Sequence, residues 1–173
     1  EFKDFALIGL IGSFLSFSSI LFGAFITTAN FRSGFLIGKY GDNAAYSFWK
    51  YTRKRAILIS MIITAIWLIL APLLNQFFNT GNIYLFLLFG IVLFVGLANG
   101  MDRGFLSARL MFKSLSIVAI FDPLAKLLVV AALVYLGLKV WAFSAIPIAF
   151  LGTFIVTWFL IKKQTKEGNN KAP

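Results

Sequence analysis

One apolar stretch of this sequence, residues 117–138, contains three residues that do not suit a lipid environment. Asp122 and Lys126 are ionisable, and Pro123 follows the acid directly. An acid and a base four residues apart can pair on one face of a helix. A charge inside a membrane span costs roughly 2.5–3.5 kcal/mol on insertion scales, so such charges generally face a protein interior or a water-filled path. The spacing indicates either a functional charge pair that lines a cavity or a purely structural ion pair.

The composition places these residues in a membrane protein. The chain has 173 residues, 60% of them hydrophobic and 13% charged, and its mean hydropathy is +0.91. A soluble domain of this length needs far more polar surface. The net charge of +10 would suggest nucleic acid in a soluble protein, but among long apolar runs it indicates membrane topology. We therefore expect no nucleic-acid partner.

Several kinds of chemistry are excluded by residue type. Cysteine and histidine are absent, which excludes disulfides, thiol and histidine catalysis, and most zinc sites. The six acidic residues are widely scattered. A membrane enzyme that acts on prenyl lipids usually needs an acidic metal-binding cluster or a histidine base. We expect no enzymatic activity, no metal site and no cofactor.

The apolar runs predict an all-α integral membrane protein with five transmembrane helices in residues 1–163. A helix that crosses a bilayer needs about 20 mainly apolar residues, and the alternation typical of membrane barrels is absent. The predicted spans are approximately 5–31, 56–74, 83–101, 114–138 and 140–161. Residues 32–55 are predicted to form a cytoplasmic amphipathic loop, and residues 164–173 a polar cytoplasmic tail or linker.

Within the predicted loop, a short helix at the membrane surface is expected. Asp42 is a plausible N-cap for a helix over residues 43–55. Tyr46, Trp49 and Tyr51 are amphipathic aromatic residues that suit the headgroup layer. The basic residues that follow suit anionic lipid, or they act simply as a topology signal.

The basic residues predict the orientation of the chain. Thirteen of the sixteen lie in the 32–55 loop, near Arg103 or in the tail, which all fall on one side of the five-span arrangement. The positive-inside rule then places the N-terminus outside and the C-terminus in the cytoplasm. An outside N-terminus without a start methionine or a signal peptide favours a piece of a larger protein, with at least one preceding span.

The first predicted span has a stripe of small or polar residues on one helical face. Its members are Gly12, Ser16, Ser19, Gly23, Thr27 and Asn30. Such a stripe favours close packing against another helix. Alternatively, it lines a polar cavity, and both can hold at different ends of the helix.

The third and later spans contain further candidates. Asn99 and Arg103 are four residues apart on one face, either at the inner mouth of a cavity or with Arg103 as a snorkelling anchor. If Pro123 began the fourth helix, that helix would be roughly 21 Å long, too short for a core of about 30 Å. The span must begin near Ser114, so Pro123 lies inside it and predicts a kink. Pro147 predicts another kink in the fifth span.

The segment from Met101 to Phe143 resembles the polysaccharide (Wzx-like) flippases of the multidrug/oligosaccharidyl-lipid/polysaccharide exporter superfamily. The resemblance rests on an Arg-Gly loop, a Phe-Lys pair, a span that ends in Leu-Gly, and a Trp near the start of the next span. The stretch IGKYGDNAA is similar to a short cytoplasmic connection of that family. Family members have twelve or fourteen spans in two bundles of six. This chain looks like spans two to six of a partial first bundle.

The resemblance implies a function and a set of site residues. Flippases of this family have a V-shaped pair of bundles and move an undecaprenyl-diphosphate-linked glycan from the inner to the outer leaflet. Lys126, Arg103 and Arg32 would attract the diphosphate, with Asn30 and Asn99 in the cavity wall. Asp122 would hold Lys126 in place or carry a coupling proton or sodium ion. The implied partners are the lipid-linked glycan, membrane lipids and the remainder of the transporter.

Two other functions stay open. A cation-coupled multidrug exporter of the same superfamily would more often have an acidic cavity, which the basic balance of this chain argues against. A non-transporting accessory membrane subunit would explain five spans without a missing remainder. The charges at Asp122 and Lys126 argue weakly against that reading.

Overall fold

The computed structural model describes the backbone of residues 2–169 and the side chains of residues 9, 10, 12–138 and 141–163. The side chains of the predicted tail, 164–173, lie outside these ranges. The helices are α1 (Phe2–Tyr40), α2 (Asp42–Phe77), α3 (Ile83–Ala108), α4 (Phe112–Tyr135) and α5 (Ala145–Asn169), with a 3₁₀ helix at Lys139–Ser144. The described backbone contains no strand, so the all-α prediction is confirmed. All five helices are long and apolar enough to cross a membrane.

The connection between α1 and α2 is a single residue, Gly41. Its φ of +81° lies in the left-handed region that favours glycine, and its N–H donates to the carbonyl of Ile37 at 3.1 Å. The segment 32–55 is therefore helical on both sides of Gly41 rather than a loop with a separate short helix. Gly41 occupies the N-cap position that the sequence suggested for Asp42, and Asp42 is the first residue of α2.

These two helices are longer than a membrane is thick. With 39 residues in α1 and 36 in α2, a rise of 1.5 Å per residue gives about 58 Å and about 54 Å. The hydrocarbon core is about 30 Å thick. Both helices can therefore span the apolar layer and still extend beyond it, and the basic residues near Gly41 are compatible with such an extension at the end where α1 meets α2.

Helix α3 is the central element of the bundle. It contacts α1, α2, α4 and α5, and most of its residues are buried. Asn82 caps its N-terminus, since the Asn82 side chain accepts a hydrogen bond from the Tyr84 N–H at 3.1 Å. By contrast, α2 and α4 keep long rows of large apolar side chains exposed, as lipid-facing helices do.

The close contact between α1 and α3 is made by glycines of α3. A Cβ atom at Gly104 would lie 2.5 Å from the carbonyl oxygen of Ile26, and one at Gly100 would lie 3.1 Å from that of Phe22. Gly96 faces the ring of Phe22 in the same way. Glycines spaced by four residues let two helix backbones approach closely.

The small-residue stripe of α1 does not form the predicted seam within this chain. A Cβ atom at Gly12 or Gly23 would meet nothing within 4 Å, and Ser16 and Thr27 are exposed. The α1 side of the contact uses another face of the helix, with Phe22, Ile26 and Ala29. The periodicity of the stripe correctly placed its members on one face of α1. The face of α1 that packs against the α3 glycines is a different one.

The two prolines occupy different positions in their helices. Pro123 lies inside α4, which continues on both sides of it from Phe112 to Tyr135. Pro147 lies in the first turn of α5, where a backbone N–H has no partner within the helix. Pro147 therefore removes no hydrogen bond within α5, and a 3₁₀ helix precedes it in the same span.

Candidate functional site

The charged residues of α4 form an ion pair that is supported by α5. Lys126 Nζ lies 2.7 Å from Asp122 Oδ2. The other carboxylate oxygen, Asp122 Oδ1, accepts a hydrogen bond from Thr153 Oγ1 at 3.3 Å. The Lys126 ammonium also lies over the ring of Phe150, 5.3 Å from its centre. The turn after α4, with Gly137 at φ +75°, brings α5 back alongside α4 and so supplies Thr153 and Phe150.

The ion pair lies in the middle of the span. Asp122 and Lys126 follow the start of α4 by 10 and 14 residues, which is about 15 Å and about 21 Å along a helix of about 36 Å. The ion pair is not fully buried, since 34% of the Lys126 side chain and 22% of the Asp122 side chain are exposed. Two charges at this depth are therefore held together but remain accessible.

Arg103 of α3 is the third charge in this region. Among the residues that the structure describes, its buried Nε has no hydrogen-bond partner, and the charge of Asp122 acts on its guanidinium. Asn99, one turn earlier, is 5% exposed, and its Oδ1 also has no partner. We call Arg103, Asp122, Lys126 and Thr153 the intramembrane polar cluster. With two cations and one carboxylate, its formal charge is +1.

Asn99 and Arg103 lie on a different face of α3 from the glycines that contact α1. Gly100 and Gly104 face α1, and each follows one of the two polar residues directly in sequence. Successive residues of an α-helix are rotated by about 100°. The face of α3 with Asn99 and Arg103 is thus rotated by about 100° from the face that contacts α1.

The two α1 candidates are not brought to this cluster. Arg32 is exposed on α1, and its guanidinium lies 5.5 Å from the centre of the Phe35 ring. Asn30 and Arg32 line a shallow surface depression formed by α1 alone. Among the described residues, α1 makes no backbone contact with α4 or α5. Helix α1 thus lies apart from the Asp122–Lys126 pair of α4, while the Asn30 backbone lies close to α3, 3.1 Å from the position of a Cβ at Gly104.

A second polar cluster, which the sequence analysis did not identify, surrounds Asp102. This carboxylate is 0% exposed. Its Oδ1 accepts hydrogen bonds from Trp49 Nε1 at 2.7 Å and from Arg53 Nε at 3.0 Å, and its Oδ2 lies 3.1 Å from the same Arg53 nitrogen. Two donors from α2 thus satisfy a buried charge of α3.

The same cluster also reaches α5. The Arg53 guanidinium lies 4.8 Å from the centre of the Phe154 ring and 5.9 Å from that of Trp158, while Trp49 stacks on Phe105 of α3 at 5.5 Å. One arginine therefore ties α2, α3 and α5 together. The available signal was the i, i+4 spacing of Trp49 and Arg53 together with an acid next to Arg103.

The structure defines a multi-pass membrane protein whose described part is all-helical. A buried central helix is surrounded by four apolar helices, and charges lie inside the bundle. No family model matches the sequence, and no similar protein was found among curated proteins or solved structures.

Proposed function

We propose that this chain belongs to a transporter that moves a lipid-linked oligosaccharide or polysaccharide precursor across the cytoplasmic membrane by alternating access. The observation that carries the proposal is the +1 formal charge of the intramembrane polar cluster, in which Arg103 and Lys126 stand against one carboxylate, Asp122. An uncompensated cation at this depth favours an anionic group of a ligand.

The cluster has the chemistry to bind a diphosphate of the undecaprenyl-diphosphate type. The buried Arg103 Nε has a free donor, and arginine can bind phosphate oxygens in bidentate fashion. Lys126 is partly exposed and can leave Asp122 for a phosphate oxygen, because its ammonium is a point charge on a flexible stem. Asp122 then either holds Lys126 between transport cycles or takes up a coupling proton or sodium ion.

The proposal also requires the remainder of a transporter, since one wall of a cavity moves nothing alone. A cation-coupled multidrug exporter is the alternative in which Asp122, rather than Lys126, meets the substrate. In a non-transporting accessory subunit, the cluster would only hold α3, α4 and α5 together. These three functions make different predictions for Asp122 and Lys126.

The test is binding of an undecaprenyl diphosphate lipid to the intact protein in nanodiscs. We expect Lys126→Met and Arg103→Gln each to weaken binding by about tenfold or more, because a charge-assisted hydrogen bond contributes roughly 1.5–3 kcal/mol. Lys126→Arg keeps the cation and should retain most of the affinity. Lys113→Gln is the matched control, since Lys113 is exposed at the start of α4.

The variant Asp122→Asn distinguishes the alternatives. Under the flippase proposal it raises the charge of the cluster to +2, so the lipid should bind as tightly as before or more tightly. Under the drug-exporter alternative, Asp122→Asn should abolish export of a cationic drug and Lys126→Met should not. Unchanged lipid binding in both Lys126→Met and Arg103→Gln would overturn the flippase proposal.

A further inference from the structure

A pocket with a volume of about 220 Å³ lies between the start of α2 and the end of α5. Both ends belong to what we call the basic end of the bundle, where α1 meets α2, α3 meets α4, and α5 finishes. The pocket is lined by Tyr46, Trp49, Lys50, Arg53, Lys54, Ile57, Trp158 and Lys162. It is separate from the intramembrane polar cluster, which shares none of these residues.

Within the described part of the chain, three of the four cations in the pocket have no paired carboxylate. Arg53 is paired with Asp102 at 3.0 Å. Among the described residues, none of the ion pairs involves Lys50, Lys54 or Lys162. The three lysines therefore place three uncompensated positive charges around one opening.

The arrangement of these lysines brings their ammonium groups to a common opening. Lys50 and Lys54 are four residues apart, so they lie on one face of α2. Lys162 approaches from α5, where its Nζ lies 3.9 Å from the centre of the Trp158 ring. Two helices thus contribute cations to the lining of one pocket, which suits the binding of an anion.

The lining of the pocket changes from basic to apolar along the membrane normal. Helix α2 runs from the basic end into the bundle, so Ile57 lies deeper than Lys50 by seven residues, or about 10 Å. Tyr46, Trp49 and Trp158 form aromatic walls near the lysines, at the depth where aromatic residues meet lipid headgroups. Lysines at the outer end of the pocket and an apolar residue at its inner end suit an amphiphilic ligand with an anionic headgroup.

We propose that this α2–α5 pocket binds the headgroup phosphate of an anionic phospholipid, whose acyl chains run past Ile57 into the bilayer. Lys50, Lys54 and Lys162 contact the phosphate. Trp49 and Trp158 cover the glycerol region. Arg53 shapes the pocket from behind, because its pair with Asp102 fixes α2 against α3 and its guanidinium lies over Phe154 of α5. Phosphate is the shared chemistry of a lipid headgroup and a free anion, and the apolar floor selects the lipid.

The experiment is native mass spectrometry of the intact protein in detergent, titrated with phosphatidylglycerol or phosphatidylcholine. We expect wild type to retain phosphatidylglycerol preferentially. The variant Lys50→Gln/Lys54→Gln/Lys162→Gln should lose affinity by at least tenfold, since each basic side chain near an anionic lipid contributes on the order of a fivefold factor. The control Lys39→Gln/Lys113→Gln/Lys163→Gln removes the same charge at the basic end outside the pocket and should bind like wild type.

Three results would overturn the proposal. Equal losses in the two triple variants would mean that binding follows surface charge in general. Equal retention of both lipids by wild type would exclude recognition of the anionic headgroup. Displacement of the bound lipid by millimolar inorganic phosphate would identify a free-phosphate site. None of these results affects the binding of undecaprenyl diphosphate at Lys126, so the two proposals fail independently.

Discussion

Two aspartates of this chain lie in apolar surroundings and have opposite environments. Asp102 is 0% exposed and accepts hydrogen bonds from Trp49 and Arg53 of a neighbouring helix. Asp122 is partly exposed and pairs with Lys126 of its own helix. A buried carboxylate whose partners are on another helix holds the two helices together. A partly exposed carboxylate that is paired within its own helix can exchange that partner. The Asp102 contacts therefore join α2 to α3, whereas Asp122 has a partly exposed pair with Lys126 and a hydrogen bond from Thr153 of α5.

At the residue scale, we predict that Asp102→Ala destabilises the protein strongly. Removing one partner of a buried ion pair costs about 3–5 kcal/mol, because the other charge remains buried without compensation. Asp102→Asn keeps an acceptor for the Trp49 indole and should cost less. Thermal unfolding of the intact protein in detergent measures the order.

The control for this prediction is Asp42→Asn. Asp42 pairs with Arg109 at 2.8 Å, but 58% of the Asp42 side chain is exposed, so the loss should stay within about 1 kcal/mol. Destabilisation by Asp42→Asn equal to that by Asp102→Ala would show that burial does not set the strength of these pairs.

At the element scale, the approach of α1 to α3 depends on the absence of side chains at three positions of α3. Gly96, Gly100 and Gly104 follow one another at intervals of four residues. Each would place a Cβ against α1, including the backbone oxygens of Phe22 and Ile26. Backbone atoms cannot move aside as a flexible side chain can. The two helices must therefore separate if Gly104 is replaced, whereas a Cβ at Gly96 would meet only the ring of Phe22.

We predict that Gly104→Ala destabilises the bundle by about 1–3 kcal/mol, the usual cost of overpacking. The added Cβ would lie 2.5 Å from the Ile26 oxygen and 2.6 Å from the Ala29 Cβ. Gly38→Ala in α1 is the matched control, because nothing lies within 4 Å of its Cβ position. Alanine favours a helix over glycine by up to about 1 kcal/mol, so the control should be neutral or stabilising. Unfolding midpoints that fall equally for both variants would contradict a steric contact at Gly104.

At the scale of the whole molecule, the bundle has one basic end and long apolar flanks. The exposed apolar side chains of α2 include Leu58, Ile62 and Ile69, each more than half exposed. Exposed faces of this size are expected of a protein surrounded by lipid. The unequal distribution of lysine and arginine between the two ends then predicts which end faces the cytoplasm.

We predict that the basic end is cytoplasmic and that the α2–α3 turn is outside. The chain has no cysteine, so single cysteines can be introduced without background labelling from it. Gln76→Cys, near the end of α2, should react with a membrane-impermeant maleimide in intact cells. Lys113→Cys, at the start of α4, should react only after the cells are permeabilised. The reverse pattern would invert the topology and with it the leaflet of the α2–α5 pocket.

The sequence by itself determined the elements of this fold, because their signals are local. Apolar runs of sufficient length required five helices, and the polar turn after α2 contains Asn82, which caps α3. The spacing of Asp122 and Lys126 allowed a pair on one helix, and the two side chains lie 2.7 Å apart. Each of these features depends on residues within a few positions of one another, so backbone geometry alone specifies them.

The tertiary structure alone decided which faces meet. Thr153 reaches Asp122 across 31 residues of sequence, and Trp49 reaches Asp102 across 53. The α1 stripe has the right period for a contact, yet the contact uses another face of α1 because the glycines of α3 admit the backbone there. Periodicity tells which residues share a face of a helix. Which neighbour covers that face depends on how five helices fill space together, and no local spacing contains that information.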